Sequence, residues 1–383
     1  MRTITTTEEL ASFCTKAAGG PYVTVDTEFL RERTYYSKLC LIQMALPGDG
    51  EAVLIDPIEG DLSLDPLFDL FRDERCVKVF HAARQDLEIF FFEGQVFPKP
   101  LFDTQLAAMV CGFGEQVGYE TLVKKIARAN IDKTSRFTDW SRRPLSKAQQ
   151  NYALADVTHL RGIYEHLAGD IKKSGRQHWV EEELEVLLDP QTYIIEPEEA
   201  WRRVKTRTSS GRFLAIVKCL ASFRENYAQN QNIPRGRVFK DDALLELAST
   251  KPKSLSDLGK SRLLLRDARK GPIADGIIEA VQKAMGMPPE DFPRADKSRE
   301  NLAVNPALAD LLRVLLKSKS EMSGVAQKLI ATAHDLDTIA AGERSAAALR
   351  GWRKEVFGND AIRLCDGEIA LAAKGSQVTV IPV

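Results

Sequence analysis

Apolar positions in the first part of the chain follow two different periods. Short β-like runs, Val23-Thr-Val25, Leu39-Cys-Leu-Ile-Gln-Met44 and Val77-Lys-Val-Phe80, alternate with stretches of helical spacing over 84–92 and 146–167. This mixture predicts an α/β domain over residues 1–168. Beyond Gly169 the β-like runs nearly vanish until the last residues. A charged stretch, Glu181 to Glu185, leads to Asp189-Pro190 and Glu196-Pro197 and reads as a helical, charged linker over 169–204. Helical patterns then cover 211–229, 241–247, 255–258 and 273–285, with a turn at Ile233-Pro-Arg235. Met287-Pro-Pro289 and Phe292-Pro293 make a second break. A similar series follows over 306–318, 323–332, 335–341 and 343–349, and runs at 367–372 and 378–380 predict a terminal hairpin. The pattern yields two small all-α modules, 205–290 and 297–383.

The 383 residues exceed one ordinary core, which agrees with several domains. No window approaches the roughly 18 uninterrupted apolar residues of a membrane span, and the N-terminus lacks a charged-then-apolar signal segment. The six cysteines (Cys14, Cys40, Cys76, Cys111, Cys219, Cys365) are scattered, with no C-x-x-C pair. They fit reduced thiols in the cytoplasm and argue against a zinc site. The net charge of −1 hides an asymmetry. Residues 205–270 hold fifteen Lys/Arg against six Asp/Glu, so the remainder is acidic. A basic module beside an acidic domain fits a division between holding phosphates and cutting them.

The acidic domain carries three short carboxylate motifs: Asp26-Thr-Glu28, His81-x4-Asp86 and Tyr152-x3-Asp156. Residues two apart on a strand point to one face, so Asp26 and Glu28 can address one ligand together. Asp86 falls in the first turn of the helix after a strand. Tyr152 and Asp156, four apart on a helix, share a face. Four converging carboxylates repel unless cations sit between them, and such hard oxygen ligands suit Mg²⁺ or Mn²⁺. Two such ions in a carboxylate cage are an apparatus for displacement at a phosphodiester. Taken singly, each motif has an ordinary structural reading, and His81 fits best as a packed, hydrogen-bonded ring. Asp103, before an apolar helical run, reads as an N-cap.

The three motifs resemble the Exo I, Exo II and Exo III motifs of the DEDD exonuclease superfamily, in its tyrosine-bearing subclass. The likeness to the bacterial ribonuclease D family is closer still. It rests on Val25 to Tyr36, Phe102-Asp-Thr-Gln105, Gly118-Tyr119, Asp132-Lys133, Thr138 to Pro144 and Gln150 to Asp156, in family order and spacing. The C-terminal half is similar to helicase-and-RNase-D C-terminal (HRDC) modules. The resemblance implies an RNase H-like α/β 3′→5′ exonuclease domain, a mixed sheet flanked by helices, followed by two HRDC-type domains. It implies that Asp26 bridges two metal ions and that Glu28 and Asp156 complete the site of the attacking water. Asp86 would support the second ion, and Tyr152 would position the water.

Lys133, Arg142 and Arg143 lie close to Trp140 in sequence. The arginines and Lys133 are candidate substrate contacts together with His81, while Trp140 reads as core. The resulting expectation is a cytoplasmic, monomeric exoribonuclease. It would trim 3′ extensions from tRNA precursors and other small structured RNAs with single-stranded 3′ ends, releasing nucleoside 5′-monophosphates. A DNA exonuclease of the same chemistry and a non-catalytic RNA-binding scaffold are the alternatives. The intact set of four acids and one tyrosine disfavours the scaffold.

Overall fold

The computed structural model describes residues 2–208, 210–294 and 303–383. A six-stranded sheet organises the N-terminal part, in the order β1-β4-β3-β2-β5-β6. Its strands are β1 (Arg2–Ile4), β2 (Tyr22–Leu30), β3 (Lys38–Ala45), β4 (Ala52–Ile55), β5 (Val77–Phe80) and β6 (Leu101–Asp103). β5 pairs parallel with both β2 and β6, whereas β3 pairs antiparallel with β4. The sheet is therefore mixed, and the parallel strands β2, β5 and β6 present their C-terminal ends along one edge. That edge is where open α/β sheets generally place ligands.

Helices α1 (Thr7–Ala18), α2 (Asp65–Arg72), α3 (Arg84–Gly94), α4 (Thr104–Val110) and α5 (Tyr119–Leu122) lie between or after the strands. The longest helix, α6 (Lys147–Ser174), begins at a capping box. The Ser146 hydroxyl accepts from the Gln149 amide, and the Gln149 side chain accepts from the Ser146 amide. It ends at Gly175, whose φ of 69° favours glycine. Thr24 on β2 donates 2.8 Å to the Val157 carbonyl of α6, which fixes the helix over the strand that carries Asp26.

The chain divides into two compact units, residues 1–28, 39–189 and 301–383 in one and 29–38 and 190–300 in the other. In the first, α7 (Gln177–Leu187) occupies much of the stretch expected to be linker. Its Val180 and Leu184 are buried because the helix packs rather than spans. Arg176 donates to the carbonyls of Val110 (2.9 Å) and Ser323 (2.6 Å), and the Trp179 and Trp352 rings stack with centroids 4.9 Å apart.

In the second unit, α8 (Gly211–Asn230) is the central helix. α9 (Arg235–Val238), α10 (Asp241–Thr250), α11 (Leu255–Gly259) and α12 (Gly271–Gly286) follow it. Its core includes Leu214, Leu220, Phe239, Leu247 and Ile277, together with Ala200, Trp201 and Val204 from the stretch before it. Tyr35 joins this unit: its hydroxyl donates to Glu225, and its amide donates 3.0 Å to Asn232 Oδ1.

The last helical series contains α13 (Pro306–Ser323), α14 (Gln327–Ile330) and α15 (Ala333–Ala340). The helix expected over 323–332 shrinks to the single turn of α14, because Gly324 (φ 71°) ends α13 in a left-handed cap. The stretch 343–349 holds a 3-10 turn, Ala347–Leu349, rather than a longer helix. The terminal hairpin is present as β7 (Ile369–Lys374) and β8 (Gln377–Pro382). The expected boundary at residue 297 lies outside the described residues. Among the described residues, no helix is long and apolar enough to cross a membrane.

Candidate active site

Three elements bring the four acids together. β2 supplies Asp26 and Glu28, the first turn of α3 supplies Asp86, and α6 supplies Asp156. Asp86 and Asp156 are 6% and 9% exposed, so little water screens them. The Thr27 hydroxyl, between the two β2 acids, donates to the Asp86 carboxylate and ties strand to helix. Asp103 caps α4 by accepting from the Gln105 amide at 2.7 Å and the Leu106 amide at 3.3 Å. Its carboxylate also accepts from the amides of Ala82 (3.1 Å) and Ala83 (2.9 Å), which holds the turn that launches α3. Asp103 thus places Asp86, and its charge is among those that raise the Asp86 carboxyl.

The electrostatics identify one coupled group. Burial raises Asp26, and the Asp156 charge raises it further. Glu28 is pushed up to about 10 by burial and then by Asp26, Asp156 and Asp86. Asp86 is raised by burial and by Asp26, against the opposing bond from Thr27. Asp156 is raised to about 7 by burial, while a hydrogen bond from Tyr152 and the charge of Arg136 pull it down. Buried carboxylates that raise one another's pKa are a donor set for hard cations, since a cation restores the ionised forms. Among the described residues, no group of three His, Cys, Asp or Glu side chains forms a ready-made ion cage.

Tyr152 lies on the same face of α6 as Asp156, and its ring sits 6.1 Å from that of Trp140. Trp140 is core, 2% exposed, as its sequence context predicts. On the far side, the Tyr119 hydroxyl donates 2.6 Å to the main-chain carbonyl of Asp156, so the helix turn is held as well as the side chain.

Comparison with known proteins places this arrangement. A 3′-5′ exonuclease family matches residues 1–172, and an HRDC domain matches residues 213–268. A ribonuclease D from Jannaschia sp. (strain CCS1) is 63% identical over 383 residues, spanning all of this chain and 99% of that protein. The chain belongs to the ribonuclease D family. Ribonuclease D of Granulibacter bethesdensis is 47% identical over 380 residues, 99% of this chain and 96% of that protein. In structure, the chain is similar to Escherichia coli RNase D, described as an exoribonuclease involved in structured RNA processing. The TM-score is 0.83 at 29% identity, covering 95% of this chain and 98% of that one. This chain is therefore an enzyme of ribonuclease D type, a 3′→5′ exoribonuclease with an exonuclease domain, an HRDC domain and a helical C-terminal region.

The basic residues expected around the ribonuclease D site take different places. Arg143 turns inward, and all five of its N–H groups are engaged inside the protein. It grips Asp56 with Nε and Nη2, and it also donates to the carbonyls of Cys40, Trp140 and Arg142. With Asp56 2% exposed, this is a buried structural fork and leaves no donor for a phosphate. Lys133 and Arg142 stay exposed, paired at the surface with Glu120 and Asp139. His81 Nδ1 lies 3.0 Å from the Thr104 hydroxyl, which itself donates to the Phe80 carbonyl, and the ring packs 5.4 Å from Tyr119. Burial lowers its pKa, so it presents no fixed positive charge to a substrate. Arg136, which the motifs did not single out, is the cation whose charge pulls down both Glu28 and Asp156. A basic residue eight positions after Arg128 in a polar loop carries no periodic signal that could have marked it.

Proposed function

We propose that Asp26, Glu28, Asp86 and Asp156 hold two divalent cations, Mg²⁺ or Mn²⁺, and that Tyr152 orients the water that attacks RNA. The observation that carries this reading is the set of four acids drawn from β2, α3 and α6, all raised by burial and three of them, Asp26, Glu28 and Asp86, also by neighbouring carboxylates. Bound there, two cations would polarise the scissile phosphate and its attacking water. The protein's own part is positioning. Asp103 and Thr27 fix the Asp86 helix, Thr24 fixes α6 over β2, and Tyr119 holds the Asp156 turn. The Tyr152 hydroxyl, hydrogen-bonded to Asp156, stands beside the carboxylates and can hold a water on that side. Water adds to phosphorus, the bond to the 3′ oxygen of the preceding nucleotide breaks, and a nucleoside 5′-monophosphate leaves. No protein nucleophile is required.

The substrates are RNAs with single-stranded 3′ ends, tRNA precursors and other small structured RNAs among them. The surplus of positive charge in residues 205–270 supports a grip on folded RNA by the HRDC domain, through backbone and shape. Residues 303–383 form a second HRDC-like module in this reading, and the protein works in the cytoplasm as a monomer.

The test is a 5′-labelled tRNA with a short 3′ tail, incubated with Mg²⁺ or Mn²⁺. Stepwise 3′ shortening with release of nucleoside 5′-monophosphates is expected, and it should vanish with EDTA or with Asp26→Asn. A matched DNA overhang cut equally fast would replace RNA by single strands in general as the substrate class. Tight RNA binding without shortening in either metal would overturn the enzymatic assignment of these acids.

A further inference from the structure

Between α5 and α6 the chain crosses a polar loop, Asp132 to Asp139, in which one side chain stands apart. Phe137 is 91% exposed, the most exposed large apolar residue in this domain. Isolated exposed aromatics are common and by themselves mean little. The neighbours of Phe137 give it a context. The guanidinium of Arg136 lies 5.2 Å from the centre of its ring. On its other side, the Thr138 hydroxyl accepts 3.1 Å from Gln149 in the first turn of α6, the helix that carries Tyr152 and Asp156. Two residues further, Trp140 is buried against the Tyr152 ring.

The loop is held as well as anchored. The Arg136 amide donates to the Lys133 carbonyl at 3.1 Å, the Thr138 amide donates to the Ser135 carbonyl at 3.3 Å, and Ser135 is buried. An exposed ring on a loop tied through Thr138 to the first turn of α6, with a guanidinium against it and Lys133 and Arg142 nearby in the chain, matches single-stranded nucleic acid in both its parts. Bases stack on exposed aromatic faces, and phosphates pair with arginine.

Resting on the exoribonuclease reading above, we propose that Phe137 is the platform on which a base at the 3′ end of the RNA stacks, with Arg136 against the adjoining phosphate. This assigns to the 132–139 loop the substrate contacts that Arg143 cannot make. Stacking is tolerant of sequence, because every base has a π-face. The platform would therefore let the enzyme remove any 3′ nucleotide while demanding that it be unpaired.

The experiment uses the full chain and RNAs carrying 2-aminopurine as the terminal or the penultimate 3′ nucleotide. Fluorescence is read in the Asp26→Asn background, where no cleavage blurs binding, and steady-state shortening is read in the otherwise wild-type chain. Phe137→Ala should lose the stacking quench and raise KM about tenfold, the scale of one base stack, with kcat changed by less than about threefold. Phe137→Trp should restore both, whereas Phe137→Leu should behave as Ala. Arg136→Gln should flatten the dependence of KM on salt by roughly one phosphate contact. Retained KM and quench in Phe137→Ala, or full rescue by Leu, would overturn the platform while leaving the exonuclease intact. Wild-type enzyme that fails to shorten RNA would instead remove the reading on which the platform rests.

Discussion

Arg143 Nη2 lies 2.7 Å from Asp56 Oδ1, and the pair closes a fork between the loop before α6 and the end of β4. Asp56 also accepts from the amides of Ile58 and Glu59, so its carboxylate is saturated from the other side. Removing the guanidinium would leave a carboxylate buried without its cation, which costs roughly 3–5 kcal/mol. Arg143→Lys should recover little of the urea midpoint that Arg143→Ala loses, since an ammonium has three N–H donors where the guanidinium uses five, two on the carboxylate and three on carbonyls. The KM for RNA should stay within about twofold of wild type in whatever fraction remains folded. A Tm unchanged in Arg143→Ala, with KM sharply raised, would return Arg143 to the substrate.

Thr27 is the middle residue of a motif whose outer residues attract attention, and its hydroxyl bonds Asp86 across from β2 to α3. That bond opposes the burial and the Asp26 charge that raise Asp86. Thr27→Val keeps the shape and removes the donor, so Asp86 should become harder to ionise and a poorer cation ligand. Loss of a partner that orients a metal ligand typically weakens metal affinity by about 10–100-fold. Titrating Mg²⁺ against initial rate should show the activation constant rising on that scale, with Thr27→Ser close to wild type. Equal activation constants for Val and Thr would show the bond to be structural alone.

Glu183 makes a comparable prediction at a distance from the acids. Its carboxylate, 9% exposed, accepts from Trp352 Nε1 at 3.0 Å and from Arg353 Nη2 at 2.7 Å. Glu183→Ala would strand a buried indole N–H and a partly buried guanidinium, at a cost of about 3 kcal/mol. The expected result is a lower urea midpoint with a red-shifted tryptophan emission before unfolding, and an unaltered kcat on short single-stranded RNA. A large loss of kcat with stability intact would mean that α7 and the C-terminal helices act on the site directly.

The difference between these three positions marks what the sequence could and could not disclose. Asp26 and Glu28 were legible because strand alternation puts them on one face, and Tyr152 and Asp156 because helix periodicity does the same. Asp103 was legible as a cap for the same local reason, and Trp140 as core. What local periodicity cannot carry is the partner across 87 residues: nothing around Arg143 announces Asp56, and nothing around Glu183 announces Trp352. A basic residue near a catalytic motif is as well explained by a buried carboxylate as by a phosphate, and only the fold decides. The same blindness applied to Arg136 and Phe137, whose exposure and aim depend on how the 132–139 loop is tied to α6. The charged stretch 181–185, expected to be linker, shows the same limit: Glu183 is turned inward by a cation that arrives from residue 353.

The acids also set how stability responds to pH. Without metal, all four have higher pKa values in the folded chain than ordinary carboxylates, Asp156 at about 7 and Glu28 at about 10. As pH rises from near 4, the unfolded chain ionises first and binds fewer protons than the folded one, so stability falls with rising pH. The loss begins at the ordinary carboxylate pKa and continues through about 7 and towards about 10 as the folded acids are forced to ionise together. Divalent cations bind the ionised forms, so they should offset the loss, and more so the higher the pH. In EDTA the Tm should therefore fall between about pH 5 and about pH 8, while the gap between Mg²⁺ and EDTA widens over the same range. Asp26→Asn removes one charge from the centre of the cluster, so it should raise the metal-free Tm at about pH 8 and shrink that gap. Parallel Tm curves with and without Mg²⁺, equally spaced at every pH, would mean that the cations bind somewhere other than these four carboxylates.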